Sequence, residues 1–407
     1  MSLLRSVRSV LSVAALGLLL STSACDQSPT DPDGGDGVPG RSPRLALWLA
    51  KKDELLAHDS AAYDLVMTGW FESDEAQAIH EDHAEAQLLA GLTLNWVSGD
   101  PAWQALLVTV ANNGDPGGPL QITDDMFLMY DTDEDGELDT RCTFPGWEDP
   151  ELFAMDPRHN GWQELVVSFY DVAASQPHHD GVIVDMVDAY PFCDGAASGG
   201  VPTPIGPAEW VTAQEELLES VRESVHDHKW VIANAGCGFD DASPFPGHTN
   251  GFLLENALGT LCGTEVPQLL AAAEHALETT EPPHIIVFAV DTDNTGQIDW
   301  PRFRTGLVLS LLLDHTYFAF DHGTLDHGDV SGYWFPEYYD VDLGDPVDSY
   351  IEEEGVYSRV FENGTIVAAV DTAAFVSLDA VHVRVGTQES GTEFHVSRGD
   401  AAIFLGM

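Results

Sequence analysis

Eight short apolar runs, separated by longer segments of helical periodicity, constrain the fold of this 407-residue chain more than any other feature. Runs such as "GVIVDM" and "HIIVFAVD" show no alternating polar face, which is typical of strands buried on both sides. The segment "AEWVTAQEELLESVRESVHDH" before the fifth run has apolar residues at helical spacing. This alternation predicts a parallel sheet covered by helices. The predicted strands cover residues 44–49, 63–69, 88–96, 181–186, 230–235, 251–256, 284–291 and 316–321.

The number of strands and the length of the repeating region predict an α/β fold, a (β/α)8 TIM barrel over residues 44–348. An open doubly wound sheet is the second choice, although no GxGxxG or GxxxxGK[ST] motif follows any of the runs. After about residue 350, segments such as "GVYSRVFENGTIVAAVDT" alternate in the manner of β-strands with Asn-Gly and Gly turns. They predict a small all-β C-terminal domain over residues 349–407.

The charge balance excludes two classes of partner. The chain has 68 acidic and 15 basic residues, a formal net charge of −53 that is spread along its whole length. Such a surface repels nucleic acids and anionic membranes. We therefore expect no nucleic-acid partner, no membrane contact other than through an anchor, and a monomer.

The N-terminus resembles an export signal. Arg5 and Arg8 precede the apolar run "VLSVAALGLLL", and "STSACD" follows it. This order is that of a signal peptide with a lipobox-like end, so we expect a lipoprotein-type signal over residues 1–25 and lipidation of Cys25. Ordinary secretory cleavage near Ala24 is the alternative. Residues 26–43 begin "DQSPTDPDGGDGVPG", the composition of a flexible tether. We expect an exported protein, either anchored to a bacterial membrane or secreted.

Export permits disulfides, and four cysteines remain after Cys25. None has the CxxC or CxxH spacing of a zinc site. Because neighbouring loops follow the third and fourth strands and the fifth and sixth, we predict the pairs Cys142–Cys193 and Cys237–Cys262.

Acids or amides end six consecutive predicted strands, the third to the eighth. Catalytic side chains of barrel enzymes come from the C-terminal ends of strands, so these residues are the candidate site. A pair of carboxylates suits glycoside hydrolysis, in which one group protonates the leaving oxygen and the other attacks the anomeric carbon or activates water. We predict Asp185 as nucleophile or base and Glu255 as acid, with Asp291 as the alternative to Glu255. The predicted substrate-binding residues are Asn95, Trp96, Asp188, Tyr190, Asn234, Asn256, Asp321 and Trp334.

The order of these segments resembles TIM-barrel glycoside hydrolases, in particular the group called hypothetical glycosyl hydrolase family 15. The matching stretches are "YDLVMTGW", "DPRHNGWQELVVSFYDV" leading into "HDGVIVDMVDAY", "TNGFLLENALG", "FRTGLVLSLLLDHTYFAFD" and "WFPEYYDVDLGDPV" with "GVYSRVFENGTIVAAV". They cover most of residues 44–370. The resemblance implies a barrel, a catalytic Asp at Asp185, an acid at Glu255 and a closing β-domain.

Two loops resemble the first nine positions of an EF-hand calcium loop. They are "DTDEDGELD" (131–139) and "DTDNTGQID" (291–299), and both lack the glutamate of position 12. No cofactor is required by the predicted chemistry, and calcium at Asp131, Asp133, Asp135 and Asp139 is the alternative to a simple Asp-Gly hairpin turn. The alternative function is a surface lipoprotein that binds carbohydrate or calcium on an inactive barrel.

Overall fold

The computed structural model describes most of the chain from residue 43 onwards. The described residues are 43–48, 63–69, 73–82, 84–131, 138–148, 151–187, 205–226, 228–234, 236, 245–255, 257–260, 265–323 and 334–407. The predicted lipidation site Cys25 and the tether therefore lie outside the described residues, except for the last residue of the tether, Pro43.

The elements between residues 46 and 321 alternate strands with helices. In chain order they are β1 (Ala46–Trp48), β2 (Leu65–Thr68), α1 (Ser73–Asp82), β3 (Gln87–Thr93), β4 (Trp96–Ser98), α2 (Pro101–Ala111), β5 (Met129–Tyr130), β6 (Thr140–Arg141), β7 (Thr143–Glu148), β8 (Glu151–Ala154), α3 (Asn160–Ser175), β9 (Gly181–Asp185), α4 (Pro207–Ser224), β10 (Trp230–Asn234), β11 (Gly251–Leu254), α5 (Val266–Thr279), β12 (Ile285–Asp291), α6 (Trp300–Ser310) and β13 (Thr316–Asp321).

Eight of these strands form the predicted parallel barrel. The sheet order is β1-β2-β3-β9-β10-β11-β12-β13, and every neighbouring pair is parallel. A parallel bridge between Leu45 and Phe318 joins the first and last strands. All eight strands predicted from the apolar runs are present, and the barrel prediction is confirmed.

Alternate residues of the strands fill the interior of the barrel. On β12, Ile285, Val287 and Ala289 belong to this core together with residues from the seven other strands, such as Ile183 and Ile232. The intervening residues of these strands, for example Val182 and Val184, are also buried. A barrel with a filled interior has no central channel, so chemistry is confined to its ends.

Local sequence signals explain where the helices begin. The Asp100 side chain accepts a hydrogen bond from Ala102 N at the start of α2, and Asp299 does the same for Arg302 N at the start of α6. Glu265 and Gln268 form a reciprocal capping box at the start of α5. Each arrangement satisfies backbone N–H groups that lack a partner within the helix.

The connection between β3 and β9 carries additional structure. Strands β4, β8 and β7 form one small sheet, and β5 pairs antiparallel with β6 as the predicted hairpin. The third barrel strand ends at Thr93, whereas the sequence predicted an end at residue 96. Leu94 and Asn95 turn the chain, and Trp96 begins β4.

The chain divides into two compact units. One contains Leu45–Ile298 and His315–Tyr333, which include the barrel strands, and the other contains Asp299–Asp314 and Trp334–Met407. The second unit has α6, α7 (Pro336–Tyr339), β14 (Ile351–Glu353), β15 (Val356–Phe361), β16 (Gly364–Ala369), β17 (Ala374–Arg384), β18 (Ser390–Val396) and β19 (Asp400–Gly406).

The second unit contains the predicted C-terminal β structure. Its strands form an antiparallel six-stranded sheet in the order β14-β15-β16-β19-β17-β18. Within the unit, Arg304 on α6 makes a bidentate pair with Asp400, at 2.8 and 3.0 Å. Over the described residues, no helix has the length and apolar character needed to cross a membrane.

Candidate active site

Three neighbouring barrel strands bring two carboxylates and one amide together. Asp185 ends β9, Asn234 ends β10, and Glu255 directly follows β11. The Asn234 Nδ2 group donates one hydrogen bond to Asp185 Oδ1 and another to Glu255 Oε2, each 2.8 Å long. The two residues that the sequence predicted as the catalytic pair are thus held by one side chain at the C-terminal end of the barrel.

This bridge limits the separation of the two carboxylates. Because both oxygens lie 2.8 Å from the same nitrogen, they can be no more than 5.6 Å apart. Carboxyl groups of retaining glycosidases are about 5–5.5 Å apart, and those of inverting enzymes about 6.5–9.5 Å. The bonded oxygens of the pair therefore fall near the retaining distance.

Most of the hydrogen-bonding capacity of Asn234 is used within the protein. Its amide uses both hydrogens on the carboxylates, its Oδ1 accepts a bond from Gly236 N, and the residue is only 1% exposed. The sequence predicted Asn234 as a substrate-binding residue. The structure instead makes it a spacer between the two carboxylates.

Hydrogen bonds to neighbouring strands fix the backbone around Asp185. Met186 has φ of 54°, a left-handed conformation that costs a residue with a side chain about 1–2 kcal/mol. This turn lets Met186 N donate to Asp185 Oδ1 at 2.9 Å and Val187 N donate to Asn234 O at 2.7 Å. Leu94 N also donates to Asp185 O at 2.9 Å. The end of β9 is therefore tied to both neighbouring strands.

A pocket adjoins Glu255 on the side of the last barrel strands. Trp48, Ala289, Val290, Ala319 and Phe320 supply apolar surface, and Glu255, Asp291 and Asp321 supply carboxyl groups. Trp48 Nε1 donates a long hydrogen bond of 3.4 Å to Glu255 Oε1. Asp291 and Asp321 are direct partners in the register of β12 and β13. The structure thus assembles four of the predicted acids at one end of the barrel.

Asp291 lies in an environment that disfavours its charge. Burial is the main cause of the raised pKa of its carboxyl, and the negative charges of Asp293, Asp321 and Glu255 raise the pKa further. A hydrogen bond from Asp293 N to Asp291 Oδ1 opposes this shift. A carboxyl of this kind holds a proton at a higher pH than an exposed aspartate.

Sequence reasoning missed Trp48 and Tyr170. Trp48 is an aromatic residue at the end of the first strand, the same signal that marked other candidates. Tyr170 comes from the middle of α3, and its hydroxyl donates to Leu92 O. Burial and the charge of Asp185 raise the pKa of Tyr170 well above its usual value, so the phenol stays neutral. No sequence signal connects a tyrosine in a helix with Asp185.

Trp96, which the sequence predicted to bind substrate, is not exposed. Its side chain is fully buried in a core cluster with Leu128 and Trp210, and it packs edge-on against Phe144. Neither face of the ring can stack on a sugar. Asn95 is also fully buried, and its amide has no hydrogen-bond partner among the described residues.

The remaining predicted residues are not placed at the site by the structure. Trp334 belongs to the second unit, where its ring packs edge-on against Tyr339. Asp188, Tyr190 and Asn256 lie outside the described residues. Their roles in binding substrate stay predictions.

The calcium prediction also stays open at the first loop, since Asp133 and Asp135 lie outside the described residues while Asp131 and Asp139 flank them. In the second loop, Asp293 Oδ1 accepts bonds from the backbone and hydroxyl of Thr260. Within the described part of the chain, no cluster of three or more His, Cys, Asp or Glu residues is arranged to hold a metal.

Each of the two predicted disulfides includes at least one cysteine outside the described residues. Cys142 is fully buried, whereas Cys193, Cys237 and Cys262 fall outside the described residues. Both pairs stay predictions.

Comparison with known proteins adds a fold likeness. No protein-family model and no curated protein matches this chain. Among solved structures, it is similar to an isomalto-dextranase of Arthrobacter globiformis T6 complexed with panose, with a TM-score of 0.48, 12% identity, and coverage of 90% of this chain and 72% of that one. Ega3 of Aspergillus fumigatus in complex with galactosamine has a TM-score of 0.44 and 9% identity over 72% of this chain and 95% of its own.

A third similar structure is the glycoside hydrolase domain of PgaB (BpsB) from Bordetella bronchiseptica, with a TM-score of 0.43 and 14% identity over 68% of this chain and 93% of that domain. The three solved structures share 9–14% identity with this chain.

Proposed function

We propose that this protein is a glycoside hydrolase in which Asp185 and Glu255 are the catalytic pair. The observation that carries the proposal is the double hydrogen bond of Asn234 on β10, which holds an oxygen of Asp185 on β9 and an oxygen of Glu255 after β11 within 5.6 Å of each other at the C-terminal end of the barrel. A structural barrel gains nothing from bringing two acids together, because like charges at this distance repel each other.

The environments of the two carboxylates suit different roles. Asp185 Oδ1 accepts bonds from both Met186 N and Asn234 Nδ2, and such bonds favour an ionised carboxylate. Asp185 is therefore the nucleophile. Glu255 is the second carboxylate bonded by Asn234, and it lies beside the apolar surface of Trp48 and Phe320. With Asp185 as the nucleophile, the retaining mechanism assigns Glu255 the role of the acid.

The reaction follows from these roles. Asp185 attacks the anomeric carbon while Glu255 transfers its proton to the leaving oxygen, so the glycosidic bond breaks and a glycosyl ester forms on Asp185. A water molecule then attacks the anomeric carbon, gives its proton to Glu255 and releases Asp185. The separation of the carboxylates leaves no room for a water between them, which favours retention of the anomeric configuration.

The proposal is tested by incubating the purified protein with a broad panel of polysaccharides and measuring released reducing ends. Against a hydrolysed substrate, Glu255→Gln is expected to lower turnover by about 10²–10⁴-fold, and Asp185→Asn by at least as much. Asp180→Asn is the matched control. Asp180 directly precedes the same strand but lies at its opposite end, where it accepts a bond from Leu88 N at 2.9 Å.

Two results would contradict the proposal. Wild-type turnover in both carboxylate variants would remove these residues from catalysis. Binding of a polysaccharide by the wild-type protein with no release of reducing ends on any substrate would favour the non-catalytic carbohydrate-binding protein.

We further propose that the protein is exported and anchored through a lipid on Cys25. The order of a basic segment, an apolar run and "STSACD" supports this proposal. In a bacterial host fed a labelled fatty acid, the wild-type chain should take up label and partition with membranes, and Cys25→Ala should not. Release of an unlabelled wild-type chain into the medium would show simple secretion instead.

A further inference from the structure

A half-exposed tryptophan begins the apolar face of α2 and has no role in the proposed mechanism. Trp103 lies in the first turn of this helix and is 40% exposed. Leu107, one turn later on the same face, is 2% exposed. The apolar face of α2 therefore continues past the packed core and ends in an indole that is accessible to solvent.

The indole lies next to the end of the second barrel strand. Gly69 directly follows β2, and a Cβ atom placed on it would lie 3.8 Å from Cη2 of Trp103. Leu65 and Met67 of β2 belong to the core inside the barrel, and Gly69 is the next position in this alternation. The tip of the indole therefore lies on the inner side of the strand end, at the catalytic end of the barrel.

The register of the sheet gives the distance from Gly69 to the proposed nucleophile. Gly91 N on β3 donates to Gly69 O at 3.3 Å. Gly91 is in turn the register partner of Ile183, which comes two residues before Asp185 on β9. Two strand spacings of about 4.8 Å and two residue rises of about 3.3 Å place Gly69 roughly 12 Å from Asp185. This distance is longer than one pyranose unit, so the indole lies beyond the sugar whose bond is cleaved.

The indole leaves room for a ligand beside it. Among the described residues, no other aromatic ring or guanidinium packs on Trp103, and Gly69 contributes no side chain. Trp300 differs, although it also lies in the first turn of a helix and is 36% exposed. Its ring stacks on Tyr338, with centroids 6.1 Å apart, and packs edge-on against Phe335. The surface of Trp103 is thus suited to the C–H groups on the face of a pyranose, since aromatic side chains commonly line ligand sites.

We propose that Trp103 binds substrate by stacking on a sugar unit beyond the one cleaved, so that the enzyme acts on long glycan chains in preference to short oligosaccharides. This inference rests on the proposed function and extends it to the class of substrate. A chain held at Asp185 and Glu255 reaches the indole only if it has further sugar units on that side. Binding of these non-reacting units holds the reacting bond between the two carboxylates.

The first test is kcat/KM on a ladder of oligosaccharides of increasing length, prepared from a polysaccharide that the wild-type protein hydrolyses. We expect Trp103→Ala to lower kcat/KM on the longest members by about tenfold, which corresponds to about 1.4 kcal/mol. The shortest members should be hydrolysed as by the wild-type protein. Trp103→Phe should keep most of the preference for long chains, because it retains an aromatic ring.

A second variant covers the indole without removing it. The separation of 3.8 Å at Gly69 is an ordinary van der Waals contact, so a side chain fits there and lies against the ring. Gly69→Leu should therefore lose the same preference for long chains while Trp103 is kept. Trp300→Ala is the matched control, and it should keep the preference although it loses aromatic packing within its own unit.

Three outcomes of this test would overturn the proposal. Equal kcat/KM of the wild-type protein and Trp103→Ala on every chain length would show that the indole does not contact substrate. An equal loss on short and long chains would show that Trp103 acts on the fold or at the cleaved bond. If Trp103→Ala does not fold, an unchanged length preference in Gly69→Leu decides against the proposal.

Affinity electrophoresis tests the same contact without turnover, in gels that contain each soluble polysaccharide of the panel, such as dextran, xylan and galactomannan. The Asp185→Asn protein should be retarded by at least one of them. Adding Trp103→Ala or Gly69→Leu should reduce the retardation, and adding Trp300→Ala should not. Retardation by none of the polysaccharides, or retardation that both changes at the indole leave unaltered, would overturn the proposal. Failure of the proposed function is distinguishable, because the wild-type protein would then release no reducing ends and yet be retarded through Trp103.

Discussion

Asn234→Ala is expected to reduce kcat/KM by about two orders of magnitude while leaving the barrel folded. The substitution removes both 2.8 Å bonds that join Asp185 to Glu255. Hydrogen bonds to charged groups contribute about 1.5–3 kcal/mol each. Loss of both at the lower end is about 3 kcal/mol, and each 1.36 kcal/mol corresponds to about a tenfold change in rate.

The Asn234→Asp variant tests the same role of Asn234 through the pH dependence of the activity. An ionised carboxylate in place of the amide would lie about 3 Å from two others, and each such pair repels by about 6 kcal/mol at an effective dielectric constant of 20. The introduced carboxyl therefore has to be protonated for the site to keep its shape. We expect activity at neutral pH to fall further than in Asn234→Ala and to recover partly at acid pH, where the carboxylic acid can donate one bond.

The assay is kcat/KM across pH together with the free energy of unfolding in urea. Asn250→Ala is the matched control, because Asn250 is also a buried barrel asparagine, 4% exposed, and bonds Val231 N, Arg222 and Pro282 O at the other end of the barrel. It should lose stability without a specific loss of turnover. Equal effects of the Asn234 and Asn250 variants on kcat/KM, after correction for the folded fraction, would refute the spacer role.

Three further predictions concern stability. Met186→Gly should be more stable than Met186→Ala by up to about 1 kcal/mol, because both variants lose the packing of the methionine side chain and only glycine relieves the φ of 54°; the reverse order would contradict the strain. Burial lowers the pKa of His179 from 6.5 to about 4, so the unfolded chain binds its proton first and stability should fall by about 3 kcal/mol as the pH drops from 6.5 to 4. In His179→Asn, the free energy of unfolding in urea should change less between pH 6.5 and 4. An unchanged slope would mean that other groups cause this loss of stability. Arg304→Lys should cost about 1–2 kcal/mol through loss of the bidentate pair with Asp400 and leave kcat unchanged; a melting curve like that of wild type would show the pair to be unimportant.

The barrel is predictable because the strands of a parallel sheet are buried on both faces and therefore have continuous apolar sequences. All eight runs form neighbouring strands in chain order. The residues at their ends can be located for the same reason, so the sequence alone identifies Asp185, Glu255, Asp291 and Asp321 as strand-end acids. Strand periodicity does not show which side chains contact each other at the C-terminal end of the barrel.

Trp96 and Asn234 illustrate this limit. The prediction for Trp96 is wrong because the run "LLAGLTLNW" is largely apolar, so nothing marks the turn at Leu94 that sends the chain into β4 and the tryptophan into the core. Asn234 ends β10 as the sequence predicted, but its bridge between two carboxylates was not predicted, because it depends on the rotamers of three side chains from separate strands. Trp48 carries the signal of an aromatic strand end, whereas Tyr170 on α3 carries none.

The anomeric configuration of the first product tests the central claim most directly. With a substrate from the polysaccharide panel, proton NMR during the first minutes of hydrolysis distinguishes the anomer released by the enzyme from the one formed later by mutarotation. Because the oxygens of Asp185 and Glu255 that bond Asn234 are no more than 5.6 Å apart, we predict that the first product keeps the configuration of the cleaved bond. First appearance of the opposite anomer would contradict Asp185 as nucleophile and the geometry assigned to this pair.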